Sequence, residues 1–271
     1  MTGNLKSTIS LFQVGVSENA IVNNLTMYDG AILDVLDGKV NLSGDVTLYS
    51  GSFVTTNPIL SDASFDSLTF VNGISHVYAG GVNTGTIDLS GSDFADNKTL
   101  NLANVNENFS TSSNGGVKIG KWDEINIGTI DKVSNMKLVG DLSFNGTNKL
   151  LNINKGSSLD VSGYSPANYT IDGNVYNNGL LDFTVRDYSR EADDLLNILE
   201  NYTADTNAVI ALNVNPVAET SDVLRIMGDV KGTTKLLLKT SEVFEAQNKI
   251  LFVEAPNDDV STQSGFEVWR V

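Results

Sequence analysis

Ala208-Val209-Ile210-Ala211-Leu212-Asn213-Val214, Ser221-Asp222-Val223-Leu224-Arg225-Ile226-Met227-Gly228, Lys235-Leu236-Leu237-Leu238, Lys249-Ile250-Leu251-Phe252-Val253 and Gly265-Phe266-Glu267-Val268 follow one another in the last quarter of the chain. Each is a short run with apolar residues at period two, and Gly, Asn and Asp turns divide them. That is how strands with one buried face are written. The rest of the chain repeats the theme. One unit is Gly, two or three residues, Asp, then an apolar residue: Gly30–Val35, Gly85–Leu89, Gly156–Val161 and Gly179–Phe183. A second is Gly, Asp or Asn, then Val or Leu: Gly44-Asp45-Val46, Gly140-Asp141-Leu142, Gly173-Asn174-Val175 and Gly228-Asp229-Val230. Each reads as a turn feeding a strand, with Gly supplying a positive φ and the Asx side chain bonding its own backbone.

Repeated strand-turn units that cannot bury a face alone predict a solenoid. The expected fold is all-β, a parallel β-helix. At roughly 20–25 residues per coil, about ten or eleven coils fit the chain. Stacked about 4.8 Å apart, they make a rod on the order of 50 Å long. Short strands and Gly turns are also compatible with an antiparallel sandwich or barrel, which lacks such repeats. One helix is expected, over 189–202: Ala192, Leu195, Leu196, Leu199 and Tyr202, with Ile198 beside them, fall at helical spacing. Ser189 stands where a cap would, and Glu191, Asp193 and Asp194 occupy the first turn.

Composition agrees with many turns and few helices: 24 Gly and 31 Asn among 271 residues, with only 18% charged. The net charge of −16 repels phosphate backbones and anionic lipid, which argues against nucleic-acid and membrane-surface binding. The chain has no Cys, so disulfides, thiolate catalysis and thiolate metal sites are excluded. No apolar run approaches the length of a membrane-spanning helix, and the first residues lack a signal-peptide apolar core.

Candidate chemistry is thin. The single histidine is His76, so neither a multi-His metal site nor a Cys-His pair can form. No Gly-x-Ser-x-Gly elbow is present. The adjacent pairs Asp193-Asp194 and Asp258-Asp259 face opposite ways on an extended chain and do not converge on one glycosidic bond. The four arginines, Arg186, Arg190, Arg225 and Arg270, all lie in the last third. Gly80–Asp88 is similar to a calcium-binding nonapeptide, but its spacing is wrong and it does not repeat. No catalytic, cofactor-binding or metal-ligating residue is therefore assigned, and no cofactor is expected.

The Ser221-Asp222-x-Leu224-x-Ile226-x-Gly228 strand, the following Gly232 and the two later strands together resemble the end of a bacterial autotransporter passenger. The resemblance covers roughly residues 205–271. It implies a right-handed parallel β-helix, with residues 1–204 a stalk and 205–271 an autochaperone-like terminal block that caps and nucleates the fold. It further implies type V secretion, display at the bacterial cell surface and anchoring through an outer-membrane β-barrel outside these residues. The implied role is a monomeric, non-enzymatic stalk and secretion scaffold of an adhesin or self-associating virulence protein. The wider passenger would then meet ligands on host or neighbouring cells. The competing expectation is a β-helix carbohydrate-active enzyme of pectate-lyase or tailspike type.

Overall fold

Alternation at period two buries every second residue in most strands of the stack. In Leu100-Asn101-Leu102, Ile125-Asn126-Ile127 and Leu151-Asn152-Ile153 the aliphatic residues are buried and the central Asn is half-exposed. The computed structural model describes residues 5–8, 11–14, 20–28, 32–35, 40–49, 52–55, 67–71, 76–78, 98–111, 117–163, 166–185, 192–240, 250–255 and 265–270. Over these, parallel strands stack into a right-handed β-helix, the crossover sense that parallel strands almost always adopt.

A long sheet of ten strands runs the length of the molecule, from Leu5–Thr8 through Thr99–Ala103 to Val230–Lys231. At ~4.8 Å per rung, its first and last strands stand about 43 Å apart. A second face begins at Val117–Lys118, which pairs with Asn108–Ser110, and continues through Asn135–Leu138, Ser158–Asp160, Leu180–Asp182, Val209–Asn215 and Thr233–Lys239 to Gly265–Arg270. A third stacks Leu142–Ser143, Asn168–Asp172, Leu195–Ile198, Val223–Ile226 and Val253–Glu254. Alongside the early rungs of the long sheet, a four-stranded sheet runs from Leu11–Val14 to His76–Tyr78.

The coils are unequal. Leu5 pairs with Leu25, a return of 20 residues, whereas Leu68 pairs with Leu100, a return of 32. Stacking nevertheless keeps each column in register. Leu25, Val46, Leu68, Leu100, Ile125, Leu151, Val175 and Tyr202 form one inward column on the long sheet. All eight are buried. Parallel strands contacting one another only through such columns bury a continuous core that no single coil possesses.

Several Gly-Asx units fall on recurring corners, while Gly44-Asp45 instead makes an irregularity within the strand Val40–Tyr49, opposite Asn24. Leu159 and Asp160 pair with Leu181 and Asp182, so the Gly156 and Gly179 units are neighbouring rungs of the second face. Each Asp accepts from the backbone N–H and the hydroxyl two residues on: Asp160 from Ser162, Asp182 from Thr184. The glycines themselves need a correction. Positive φ occurs at Gly156 (79°) and Gly232 (82°) but not at Gly173, Gly179 or Gly228. There a Cβ would stand 2.4–2.7 Å from backbone of the previous coil, such as Glu200 C at 2.7 Å from one on Gly228. Close approach between coils, more than left-handed geometry, selects glycine at those three. Gly232 carries both constraints, since its Cβ would lie 2.1 Å from Ala204 O. Gly232→Ala should therefore cost about 2 kcal/mol or more in urea unfolding. Gly156→Ala, which meets only the movable Val133 Cγ1 at 2.9 Å, should cost about half that. Equal costs would show that contact with the neighbouring coil does not matter.

The helix expected over 189–202 does not form in its described part. Leu195–Ile198 is a strand of the third face, paired in parallel with Asn168–Ile171 on one side and Val223–Ile226 on the other. Leu196 and Ile198 are buried, while Leu199 is 44% exposed. The stretch Leu195–Tyr202 fits either period, and pairing on both sides decides for the strand. Residues 186–191 lie outside the described residues.

Candidate functional site

The outward face of the long sheet carries a polar column nine rungs long. Thr26, Thr47, Thr69, Asn101, Asn126, Asn152, Tyr176, Thr203 and Lys231 occupy successive rungs at one register position. The three asparagines form a ladder. The Asn101 amide nitrogen donates to Thr69 Oγ1 (3.2 Å), Asn126 to Asn101 Oδ1 (2.9 Å) and Asn152 to Asn126 Oδ1 (2.6 Å). Asn152 also donates to Glu124 Oε1 at 2.9 Å. Amides stacked at the rung spacing suit one another in this way, as in other stacked parallel sheets. Each half-exposed bond stabilises the fold by about 1 kcal/mol or less.

Where the ladder ends, the surface hollows into a shallow groove of about 330 Å³, with Asn152, Asn174, Tyr176, Asn201, Thr203 and Lys231 on its walls. The Tyr176 hydroxyl donates to Asp205 Oδ2 at 2.5 Å. That bond is the main reason the Tyr176 pKa is raised and the Asp205 pKa lowered. Asn174 Oδ1 accepts from both the backbone and side-chain nitrogens of Asn201, at 3.2 and 2.9 Å. Asn201 Oδ1 in turn accepts from the Asp229 N–H at 2.8 Å. The groove walls are thus oriented by bonds between successive coils. Further along the same sheet Tyr28 and Tyr49 stack, ring centroids 4.7 Å apart.

The second face has its own groove, of about 310 Å³, beside Asn106, Asn135, Lys137 and Asp160. Lys137 is committed there, its Nζ lying 2.9 Å from Asp160 Oδ2 and 2.8 Å from Ser162 O.

Three carboxylates are buried among the described residues: Asp123, which accepts from the N–H groups of Asn148 and Lys149, and the linked pair Asp194 and Asp222. Asp222 has no solvent exposure; its Oδ1 accepts from Asp194 N at 3.1 Å and its Oδ2 from Asn213 N at 2.7 Å. Asp194, 6% exposed, accepts from Ala167 N at 2.6 Å and Gly163 N at 3.2 Å. The two therefore link three successive coils, supplying acceptors at corners where unequal coils leave N–H groups unpaired. Desolvation raises both pKa values, that of Asp222 to about 7, and the Asp194 charge adds to the rise at Asp222.

Other residues singled out in the sequence lie apart. Asp193 is exposed while Asp194 is buried, so the pair faces opposite ways. His76 stands in the strand His76–Tyr78. Arg225 Nε bonds Glu254 Oε2 at 2.8 Å on the third face, and Arg270 belongs to the last strand of the second face. Arg186, Arg190, Asp258-Asp259 and Gly80–Asp88 lie outside the described residues. No cluster of three His, Cys, Asp or Glu side chains able to hold a metal occurs among the described residues. The polar column escaped sequence reading: Asn101, Asn126 and Asn152 recur at near-equal intervals, but no motif marks them among 31 Asn.

Comparison with family models, curated proteins and solved structures found no match.

Proposed function

We propose that this chain is a non-enzymatic stalk, the membrane-proximal part of a surface-displayed passenger of autotransporter type. In this role it holds a distal adhesive region away from the outer membrane. The observation that supports the reading best is continuity. All three faces continue into the terminal block, the long sheet to Val230–Lys231, the third to Val253–Glu254 and the second to Gly265–Arg270. Leu224 and Ile226 of the Ser-Asp-x-Leu-x-Ile strand are fully buried there. A load-transmitting rod needs stacked columns and satisfied corners, and the described coils have both.

The rival enzyme needs two carboxylates converging on a groove. Asp194 and Asp222 are committed to backbone N–H groups in the interior. Of the two carboxylates on the second-face groove, Glu107 and Asp160, Asp160 is bound by Lys137 and by the N–H and hydroxyl of Ser162.

The test is to join residues 1–271 to a secretion signal and an outer-membrane autotransporter barrel. The chain should appear on intact cells, resist added protease over 205–271 and release no reducing ends from polygalacturonate. Retention inside the cell, or sugar release that follows the purified chain, would reject the stalk.

A further inference from the structure

We infer that the groove beyond the asparagine ladder is a binding site for a neutral oligosaccharide. Its walls are two outward columns. Leu150, Asn174 and Asn201 form one; Asn152, Tyr176, Thr203 and Lys231 form the other. The trough between them spans four rungs, about 14 Å at the rung spacing. It therefore accepts an extended chain molecule rather than a single ring.

Three observations select the occupant. The first is what the amides have left over. Within the described residues Asn174 uses one amide N–H, on Asn148 O, and Asn201 one, on Asn174 Oδ1. Asn152 spends its amide hydrogens on Glu124 and Asn126 and keeps its oxygen. Donors and acceptors fixed side by side match hydroxyl groups, which are both at once. The second is Tyr176. Its hydroxyl is held by Asp205, so an aromatic body is anchored mid-trough at small entropic cost, an amphipathic surface suited to a sugar's mixed C–H and O–H faces. The third is charge and topology. Lys231 is the one cation among the groove residues of a chain with net charge −16, which disfavours nucleic acid and acidic polysaccharides. A peptide strand needs an open sheet edge, and the Leu150, Asn174 and Tyr202 strands are paired on both sides.

The inference does not rest on the stalk reading, so the two can fail separately. The purified chain would be titrated with cellotriose, maltotriose, triacetylchitotriose and a heparin tetrasaccharide, and backbone amide NMR shifts followed. At least one neutral trisaccharide should bind below about 10 mM, the weak end of measurable affinity, with shifts centred on Asn152, Asn174, Tyr176 and Asn201. Tyr176→Ala should weaken binding ~10-fold or more. Thr203→Trp fills the trough without removing a hydrogen bond and should abolish binding while the melting temperature holds. If Tyr176→Ala unfolds the chain, Thr203→Trp decides alone. The site is overturned if no neutral trisaccharide binds, if binding survives Thr203→Trp, or if only the heparin fragment binds.

Discussion

Leu224→Asp should remove on the order of 3–5 kcal/mol of stability, the largest effect expected of a single substitution in this chain. Leu224 is completely buried, and its column on the third face holds Tyr169, Leu196 and Val253. The change deletes an apolar contact and buries a carboxylate that Arg225, next in sequence and turned outward to Glu254, does not pair. Urea unfolding followed by circular dichroism gives the measurement, with Leu224→Met as a volume-conserving control costing less than about 1.5 kcal/mol. A loss below about 1 kcal/mol for Leu224→Asp would mean that the terminal coils open independently of the rest.

The autochaperone role that the resemblance implies for 205–271 predicts unequal truncations. Removing 205–271 strips the partners from Tyr202 and Leu196 and from the Leu180–Asp182 strand, leaving an apolar cross-section and open strand edges. The remaining coils should refold slowly and become protease-sensitive. Removing a similar length from the N-terminus should leave the rest folded. Equal behaviour would reduce the terminal block to ordinary solenoid.

How much of this was legible follows from which residues carry it. Alternation in Ala208–Val214 and Val223–Ile226 is written in apolar residues, and the Gly156 and Gly179 units mark neighbouring corners. Gly44-Asp45, by contrast, lies within the strand Val40–Tyr49, and the Gly85 unit lies outside the described residues. Three of the four Gly-Asx-apolar triplets enter the long sheet, at Val46, Val175 and Val230, so the solenoid could be read from period and punctuation. The strand Leu195–Ile198 could not. Its apolar residues satisfy period two and period 3.6 together, and the deciding partners lie 27 and 28 residues away, as Leu195 pairs with Asn168 and Val223. The polar column is illegible for a related reason. Coils of unequal length make register a tertiary property, so nothing local tells Asn126, which stacks on Asn101, from an Asn in a loop. The buried acids were hidden by their polarity: Asp194 and Asp222 resemble any surface Asp until the unpaired N–H groups of Ala167 and Asn213 are placed beside them.

Stability should fall as pH rises from 5 to 8, and Asp222 should carry much of the fall. Burial holds its folded pKa at about 7, well above the ordinary value of roughly 3.9 in an unfolded chain. Below that lower value the group is protonated in both states, and its contribution to stability is complete. Between the two, the folded state keeps a proton that the unfolded state releases. Each unit of rising pH then costs up to about 1.4 kcal/mol, until the folded group ionises. Asp194, shifted in the same direction by its own burial, adds to the trend. General repulsion in a chain of net charge −16 has the same sign but is screened by salt, whereas a charge without solvent exposure is screened much less. Melting temperature would therefore be measured against pH at about 0.15 M and 1 M NaCl. The slope should persist in high salt and flatten in Asp222→Asn, which cannot ionise yet keeps one oxygen to accept from Asn213 or Asp194. A slope that vanishes in 1 M salt, or is unchanged in Asp222→Asn, would assign the pH dependence to the surface and leave Asp222 as a permanently ionised acceptor of the two N–H groups that it joins.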